Sequence, residues 1–189
     1  GQSVALFFGF VTHAYLARVL GPAHYGILGF AVSVVSYFGI LAALGTDAWG
    51  ARSIARDDSD PSTLTGQIVS VRLALSLVSL LMLIILLSIW NQPALVNIVI
   101  LVQALSLFIA SFTLDFAFQG LERLNILARR QMIAAFVALI GILLFLQLYG
   151  TVLTAAIVFQ VAAMLAAIYM IAVFRRTIAN LSLKIDLAW

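Results

Sequence analysis

The stretch LALSLVSLLMLIILLSIWNQPALVNIVILVQALSLFIASFTL, residues 73–114, contains no Asp, Glu, Lys or Arg. One helix crosses the hydrocarbon core of a bilayer with about 20 apolar residues, so this stretch is long enough for two spans. The turn-forming sequence WNQP at 90–93 divides it near the middle. Residues 131–174 repeat the pattern, with YGT at 149–151 as the division. The two stretches therefore predict two pairs of transmembrane helices.

The N-terminal part of the chain shows the same organisation. Residues 19–46 carry no charge, and the sequence GPAHYG at 21–26 interrupts the apolar region. The predicted fold is an all-α, polytopic membrane bundle in one transmembrane lobe. The six predicted spans are about 2–20, 28–46, 67–90, 94–118, 131–149 and 152–174.

The composition excludes several classes of protein. Hydrophobic residues make up 65% of the 189 residues and charged residues 9%, with a mean hydropathy of +1.19. An average soluble domain has about 45–50% apolar and about 25% charged residues. The chain has too little polar surface for a soluble enzyme or a disordered tail. It has no cysteine, which excludes a disulfide framework, a zinc knuckle and a thiol nucleophile.

The basic residues predict the orientation in the membrane. The net charge is +3, and all Lys and Arg residues except Arg18 fall in the even-numbered connections or after the last span. The positive-inside rule makes that side cytoplasmic, so both ends of the chain are expected there, in the cell (inner or plasma) membrane. The excess indicates topology and contact with membrane lipids rather than nucleic acid. The nine residues are Arg52, Arg56, Arg72, Arg123, Arg129, Arg130, Arg175, Arg176 and Lys184.

Three polar residues near the first two spans each allow two interpretations. His13 lies mid-helix, either as a neutral histidine bonded to a neighbouring helix or in proton coupling or substrate contact. Arg18 stands near the external end of the first span, where its side chain either snorkels to the interface or contacts an anion in a cavity. Asp47 closes the second span, and a helix-end or loop role is favoured.

Asp115 belongs to a predicted polar stripe on the fourth span. Ser111, Asp115 and Gln119 are spaced i, i+4, i+8, which places them on one helix face. Such a stripe faces protein or water rather than lipid. Packing against a donor on a neighbouring helix and lining a solute route both remain open.

The arginines in the cytoplasmic connections allow two interpretations, and the motif search gives no indication of an enzyme. Arg52 and Arg123 first act as topology determinants and contacts for anionic lipids, but a guanidinium could instead capture a diphosphate. The chain has two histidines, no metal-ligand spacing and no Gly-rich phosphate loop. We expect no metal, no cofactor and no catalytic residues.

Two groups of motifs resemble a known family. The sequence ARVLGPAHYG at 17–26, with LGT at 44–46 and ARSIAR at 51–56, is similar to the opening of the oligosaccharide flippases. The sequence DFAFQGLER at 115–123 resembles their Asp-Trp-x-Phe-Gln-Gly-x-Glu segment, with Phe116 in place of the usual Trp. The chain is thus identified as a member of the polysaccharide biosynthesis family, in the multidrug/oligosaccharidyl-lipid/polysaccharide exporter superfamily.

The resemblance implies a fold and an activity. Proteins of that superfamily have two six-helix lobes around a central cavity, so this chain would be the N-terminal lobe, a fragment of a longer protein. The implied substrate is an undecaprenyl-diphosphate-linked oligosaccharide repeat unit of O-antigen or capsule. It is turned from the inner to the outer leaflet by alternating access, coupled to H⁺ or Na⁺ rather than to ATP. Other polysaccharide-assembly proteins are possible partners.

On this hypothesis the polar residues take specific roles. Arg18, Arg52 and Arg123 would contact the diphosphate, His13 and Gln119 the substrate headgroup, and Asp115 would be a protonatable switch. Two other functions stay open from the sequence. One is export of drugs or of another lipid-linked precursor, and the other is a membrane scaffold for glycan-assembly enzymes.

Overall fold

A computed structural model of the chain describes residues 2–56 and 60–177. Every regular element in this part of the chain is an α-helix, which confirms the predicted all-α class. Lys184, counted above as a topology determinant, lies outside the described residues. The helices are α1 (Gln2–Ala43), α2 (Thr46–Ala55), α3 (Pro61–Ile89), α4 (Ala94–Ser111), α5 (Asp115–Gly120), α6 (Leu124–Tyr149) and α7 (Val152–Thr177).

Five helical stretches are long and apolar enough to cross a membrane. They are Ser3–Ala43, Pro61–Ile89, Ala94–Gly120, Leu124–Tyr149 and Val152–Thr177. Their outer faces expose large apolar side chains, with Leu6, Phe10 and Ile40 at least 70% exposed. A water-soluble protein would not leave so many of these side chains uncovered. The chain is a multi-pass membrane protein.

The first two predicted spans lie in a single element, α1, that bends sharply. At Gly21 the backbone leaves the helical region, with φ 72° and ψ 171°, a conformation almost restricted to glycine. Nδ1 of His13 and the hydroxyl of Tyr25 share a hydrogen bond of 3.2 Å. In a straight helix these two residues would be about 18 Å apart along the axis. The first arm (residues 2–20) and the second arm (residues 22–43) therefore fold back towards each other.

The start of α3 differs from the prediction by several residues. The third span was predicted from residue 67, but α3 begins at Pro61. Asp60 caps the helix by accepting hydrogen bonds from the Thr63 amide and from the Ser62 and Thr63 hydroxyls. The Ser62 hydroxyl, followed by the Thr63 donors, holds the pKa of this exposed carboxyl below its ordinary value. Hydropathy marks the apolar part of a helix, whereas the cap and the proline mark its first turn.

The fourth predicted span, 94–118, is not one continuous helix. α4 ends at Ser111, residues 112–114 are not helical, and α5 begins at Asp115. The acidic residue in the first turn of α5 favours a new helix start because it faces the positive end of the helix dipole. The predicted stripe of Ser111, Asp115 and Gln119 is consequently not formed on a single helix face.

The buried apolar residues form two clusters. The larger one joins both arms of α1 to the end of α3, most of α4, the end of α6 and the start of α7. The second, which we call the basic-end cluster, joins the start of α3, the start of α6 and the end of α7 to α2 and α5. Its members are Ile54, Leu64, Ile68, Val69, Leu114, Phe116, Ala117, Phe118, Ile126, Met170 and Phe174.

The two short helices α2 and α5 pack closely through glycines. A Cβ atom at Gly120 would lie 2.7 Å from the carbonyl oxygen of Ala51 and 2.8 Å from Cβ of Ile54. At Gly50 it would lie 2.8 Å from Cδ2 of Phe116. The carbonyl oxygen of Ala51 belongs to the backbone, so it cannot move aside as a flexible side chain can.

We expect Gly120→Ala to destabilise the protein by about 1–3 kcal/mol, because the added methyl group overpacks the contact between α2 and α5. The measurement is the thermal unfolding of the purified full-length protein in detergent. Gly29→Ala is the control, since Gly29 is exposed and no atom lies within 4 Å of the position that its new methyl group would take. Equal unfolding temperatures for the two variants would contradict the close packing.

Candidate functional site

A cleft of about 480 Å³, which we call the main cleft, opens on one face of the bundle. Its walls come from the second arm of α1, from α4 and from α7, and α2 and α3 each contribute one charged side chain. The ionisable and amide side chains that line it are His13, Asp47, Arg72, Gln103 and Gln160. Small residues such as Gly39 and Ala163 form much of the remaining wall. The cleft therefore brings polar groups to one surface of a largely apolar molecule.

An ion pair between a buried arginine and a half-exposed aspartate lies in this cleft, close to the basic-end cluster. Nη2 of Arg72 is 2.7 Å from Oδ1 of Asp47, with the Arg72 side chain 5% exposed and that of Asp47 54% exposed. Nε of Arg72 donates a hydrogen bond of 2.7 Å to Oγ1 of Thr46. The guanidinium also lies 5.1 Å from the centre of the Phe116 ring. A buried guanidinium without such partners would be costly.

This ion pair was not predicted from the sequence. Arg72 was counted only as a topology determinant, and Asp47 was assigned a helix-end or loop role. The signal in the sequence is weak, because the two residues are simply the charges that close two different apolar stretches. Their meeting depends on how α2 packs against α3, which a single sequence does not reveal.

Further along the cleft, two glutamines pair across α4 and α7. Nε2 of Gln160 donates a hydrogen bond to Oε1 of Gln103, and both side chains are buried. Oε1 of Gln160 is also buried and has no partner within the described structure. A buried polar atom without a partner is unfavourable, so this oxygen keeps unused hydrogen-bonding capacity in the wall of the cleft. A role for these two glutamines was also not predicted from the sequence, although each is a polar residue within an otherwise apolar span.

A hydroxyl network supports the wall behind the cleft. Oγ of Ser76 donates a hydrogen bond of 2.9 Å to the carbonyl oxygen of Leu107 and lies 3.1 Å from Oγ of Ser111. Both serines are buried. Ser111, expected on a stripe with Asp115, instead joins α4 to α3. This network fixes the helix that carries Gln103.

A second cleft, of about 520 Å³, lies between the first arm of α1, α6 and α7. His13 lines both this second cleft and the main cleft. Its ring stacks on Phe159, with centroids 5.7 Å apart and an angle of 21° between the planes. Its hydrogen bond to Tyr25 fits the interpretation of a histidine held by a neighbouring helix. Its position at both clefts fits a contact with substrate equally well, so both interpretations remain.

Asp115 forms an ion pair outside the main cleft. Nη2 of Arg130 donates a hydrogen bond of 2.8 Å to Oδ2 of Asp115, and both side chains are partly buried. Oδ1 of Asp115 and Nε of Arg130 are buried without partners among the described residues. Arg130 in turn lines the second cleft. The carboxyl group is therefore placed between α5 and α6, one side chain away from that cleft.

The other predicted site residues lie on exposed surfaces. Arg18 is exposed on the first arm, and Gln119 is exposed on α5. Arg52 is exposed on α2, where its Nε donates a hydrogen bond of 3.0 Å to the carbonyl oxygen of Ala48. Arg123 is exposed immediately before α6. The structure does not bring these four side chains into the main cleft, and their roles stay predictions.

The described residues offer no ready site for a metal ion. No group of three or more His, Cys, Asp or Glu side chains in residues 2–56 and 60–177 is close enough to hold one. In the cleft, Arg72, Asp47 and the two glutamines offer groups for hydrogen bonding and charge pairing.

We expect Gln160→Leu to lower stability by about 1–3 kcal/mol, because it leaves the buried Gln103 amide without its partner. The double variant Gln103→Leu/Gln160→Leu should regain most of this loss, since neither polar group is then stranded. Thermal unfolding of the purified full-length protein gives both values. A double variant whose loss of stability equals or exceeds the sum of the losses in Gln103→Leu and Gln160→Leu would show that the amide pair does not account for the effect.

The comparisons with known proteins give one match. The sequence model of a family described as "Polysaccharide biosynthesis protein" matches residues 1–187. No curated protein and no solved structure matches the chain.

Proposed function

The chain belongs to the polysaccharide biosynthesis protein family, and we propose that it takes part in moving an undecaprenyl-diphosphate-linked oligosaccharide from the cytoplasmic to the outer leaflet. The observation that carries this proposal is the main cleft. It presents a buried arginine, a carboxylate and two amides on a bundle whose outer surface is apolar. Transport suits a cleft whose polar groups can bind and orient a ligand.

The physical problem of the proposed substrate fits this surface. A headgroup with sugars and two phosphates does not cross about 30 Å of hydrocarbon unaided. It needs donors and cations along a protected route, while its polyprenyl tail remains in lipid. The amides of Gln103 and Gln160 can bond sugar hydroxyls, and an arginine can bond phosphoryl oxygens bidentately. In the proposed mechanism, a second lobe faces this cleft and the two alternate in opening to each side.

The topology is part of the proposal. Each arm of α1 would cross the membrane separately, which gives six spans with both ends cytoplasmic in the cell membrane. The bend at Gly21 supports this, because it folds the two arms back towards each other. The basic-end cluster supports it too, because it gathers the arginine-flanked ends of α3, α6 and α7 at one end of the bundle.

The proposed energy source is H⁺ or Na⁺ acting through Asp115. Its ion pair with Arg130 supports this, since loss of the carboxylate charge releases a guanidinium that lines the second cleft. His13 and Gln119 are proposed contacts for the headgroup. Arg18, Arg52 and Arg123 are proposed to meet the diphosphate at the two membrane surfaces, before and after it occupies the cleft.

The deciding experiment for the function is a gene deletion with an assay of which leaflet holds the lipid-linked repeat units. We expect these units to accumulate on the cytoplasmic side and surface glycan to disappear, with both restored by the full-length gene. In a strain without a second flippase, normal surface glycan would instead favour the drug-exporter or scaffold alternative.

We expect Asp115→Asn to abolish export in the same strain, because the amide cannot change its charge and pairs weakly with Arg130. The variant should reach the membrane at a normal level, as measured by immunoblotting of membrane fractions. Asp60→Asn is the matched control, since it also removes one negative charge but at an exposed helix cap outside both clefts. Full export by Asp115→Asn would exclude the coupling role.

A further inference from the structure

Arg72 presents a buried guanidinium whose anionic partner can leave. We propose that Arg72 is an anion-binding residue for phosphoryl groups in the main cleft, and that the carboxylate of Asp47 occupies this binding position until the ligand displaces it. This inference rests on the proposed function for its ligand class. The observations behind it are the contacts of the two side chains.

The guanidinium stays in place without Asp47. Nε is bonded to Thr46 Oγ1 at 2.7 Å, and the centre of the Phe116 ring lies 5.1 Å from the guanidinium carbon. The Phe116 side chain is fully buried in the basic-end cluster. These two contacts orient the planar group independently of its ionic partner.

The contact with Asp47 leaves hydrogen-bonding capacity on the guanidinium unused. Nη2 lies 2.7 Å from Oδ1 of Asp47, so the two charges attract each other strongly. Nη2 is nevertheless buried and makes no hydrogen bond of good geometry to any of the described residues, Asp47 included. A buried donor in this state favours a ligand whose oxygens can align with it.

Asp47 is the partner with more contact to solvent. Its side chain is half exposed, whereas that of Arg72 is almost fully buried. Asp47 also lies in the first turn of α2, whose N-cap residue, Gly45, provides no side-chain hydrogen bond. A released carboxylate can therefore interact with the amide groups at the start of α2 and with water. Both alternatives offset part of the attraction that is lost when Asp47 separates from Arg72.

A phosphoryl anion is the ligand that fits the vacated position. Nη1 and Nη2 together form a fork that matches two phosphoryl oxygens, whereas Asp47 leaves Nη2 poorly aligned. A diphosphate carries more negative charge than one carboxylate, so it competes well for a buried cation. The exchange also leaves Arg72 paired at every stage, which avoids an isolated buried charge. Ser111 and Thr113 add hydroxyl groups to the same cleft.

The test is calorimetric binding of inorganic pyrophosphate to the purified full-length protein. We expect Asp47→Asn to bind pyrophosphate about fivefold more tightly than the wild type, because the internal competitor is removed. Arg72→Lys should bind at least about tenfold more weakly, since an ammonium group lacks the fork. Asp60→Asn is the matched control, because it removes one exposed negative charge outside the cleft and keeps a good helix cap. Its affinity should equal that of the wild type.

A second measurement needs no variant and covers the case in which Asp47→Asn does not fold. Carbodiimide labelling of carboxyl groups, read by mass spectrometry, should increase at Asp47 of the wild-type protein when pyrophosphate is added. Labelling of Asp60 should stay constant. Unchanged or reduced labelling at Asp47, or an unchanged affinity in a folded Asp47→Asn variant, would overturn the inference.

Two sources of the phosphoryl group are distinguished by a parallel titration with farnesyl diphosphate in lipid nanodiscs. If farnesyl diphosphate binds more tightly than pyrophosphate, the ligand is a lipid-linked diphosphate. If it binds equally or more weakly, the ligand is a free diphosphate. Failure of both probes to bind through Arg72 overturns the inference. These results are separate from the deletion experiment. Normal glycan export in the deletion strain together with Arg72-dependent binding would contradict the proposed function and support this inference. Loss of export in the deletion strain without Arg72-dependent binding would support the proposed function and contradict only this inference.

Discussion

The packing of the Phe116 ring holds together the end of the bundle where most arginines lie. The ring is fully buried, it fills the space that the missing side chain of Gly50 leaves open, and it lies beneath the guanidinium of Arg72. Through these contacts one side chain on α5 meets both α2 and α3. The Asp47–Arg72 pair is thus supported by an aromatic ring of the core as well as by the attraction between its charges. The aromatic ring of Phe116 packs in the core and also contacts the cation.

The cleft changes in character along its length. Near the basic-end cluster it offers a full positive charge and a carboxylate, and farther along α4 and α7 it offers neutral amides and then the stacked rings of His13 and Phe159. A ligand with an anionic part and an uncharged polar part would meet matching groups in that order. Such an order also avoids placing a full charge in the middle of the bundle, where the cost in free energy is highest.

Much of the helical framework could be predicted from the sequence, because long charge-free stretches and turn residues report directly on the membrane. The break at Gly21 and the connections near Pro93 and Gly150 follow from local chemistry. The interruption at 112–114 was not predicted, since this segment is apolar and contains neither glycine nor proline. The pairs Asp47–Arg72 and Gln103–Gln160 were also missed. Each of these pairs joins two different helices. Whether the two side chains meet depends on how the helices pack, which the pattern of hydrophobic residues does not reveal.

The bend at Gly21 has a consequence for how the protein is made. The two arms of α1 are joined by a single non-helical residue, with no polar loop between them. Under the proposed topology, we expect the two arms to enter the membrane together as a helical hairpin, whose tip, residues 19–26, contains no Asp, Glu, Lys or Arg. A defect at the bend should then appear as failed biogenesis before it appears as failed transport.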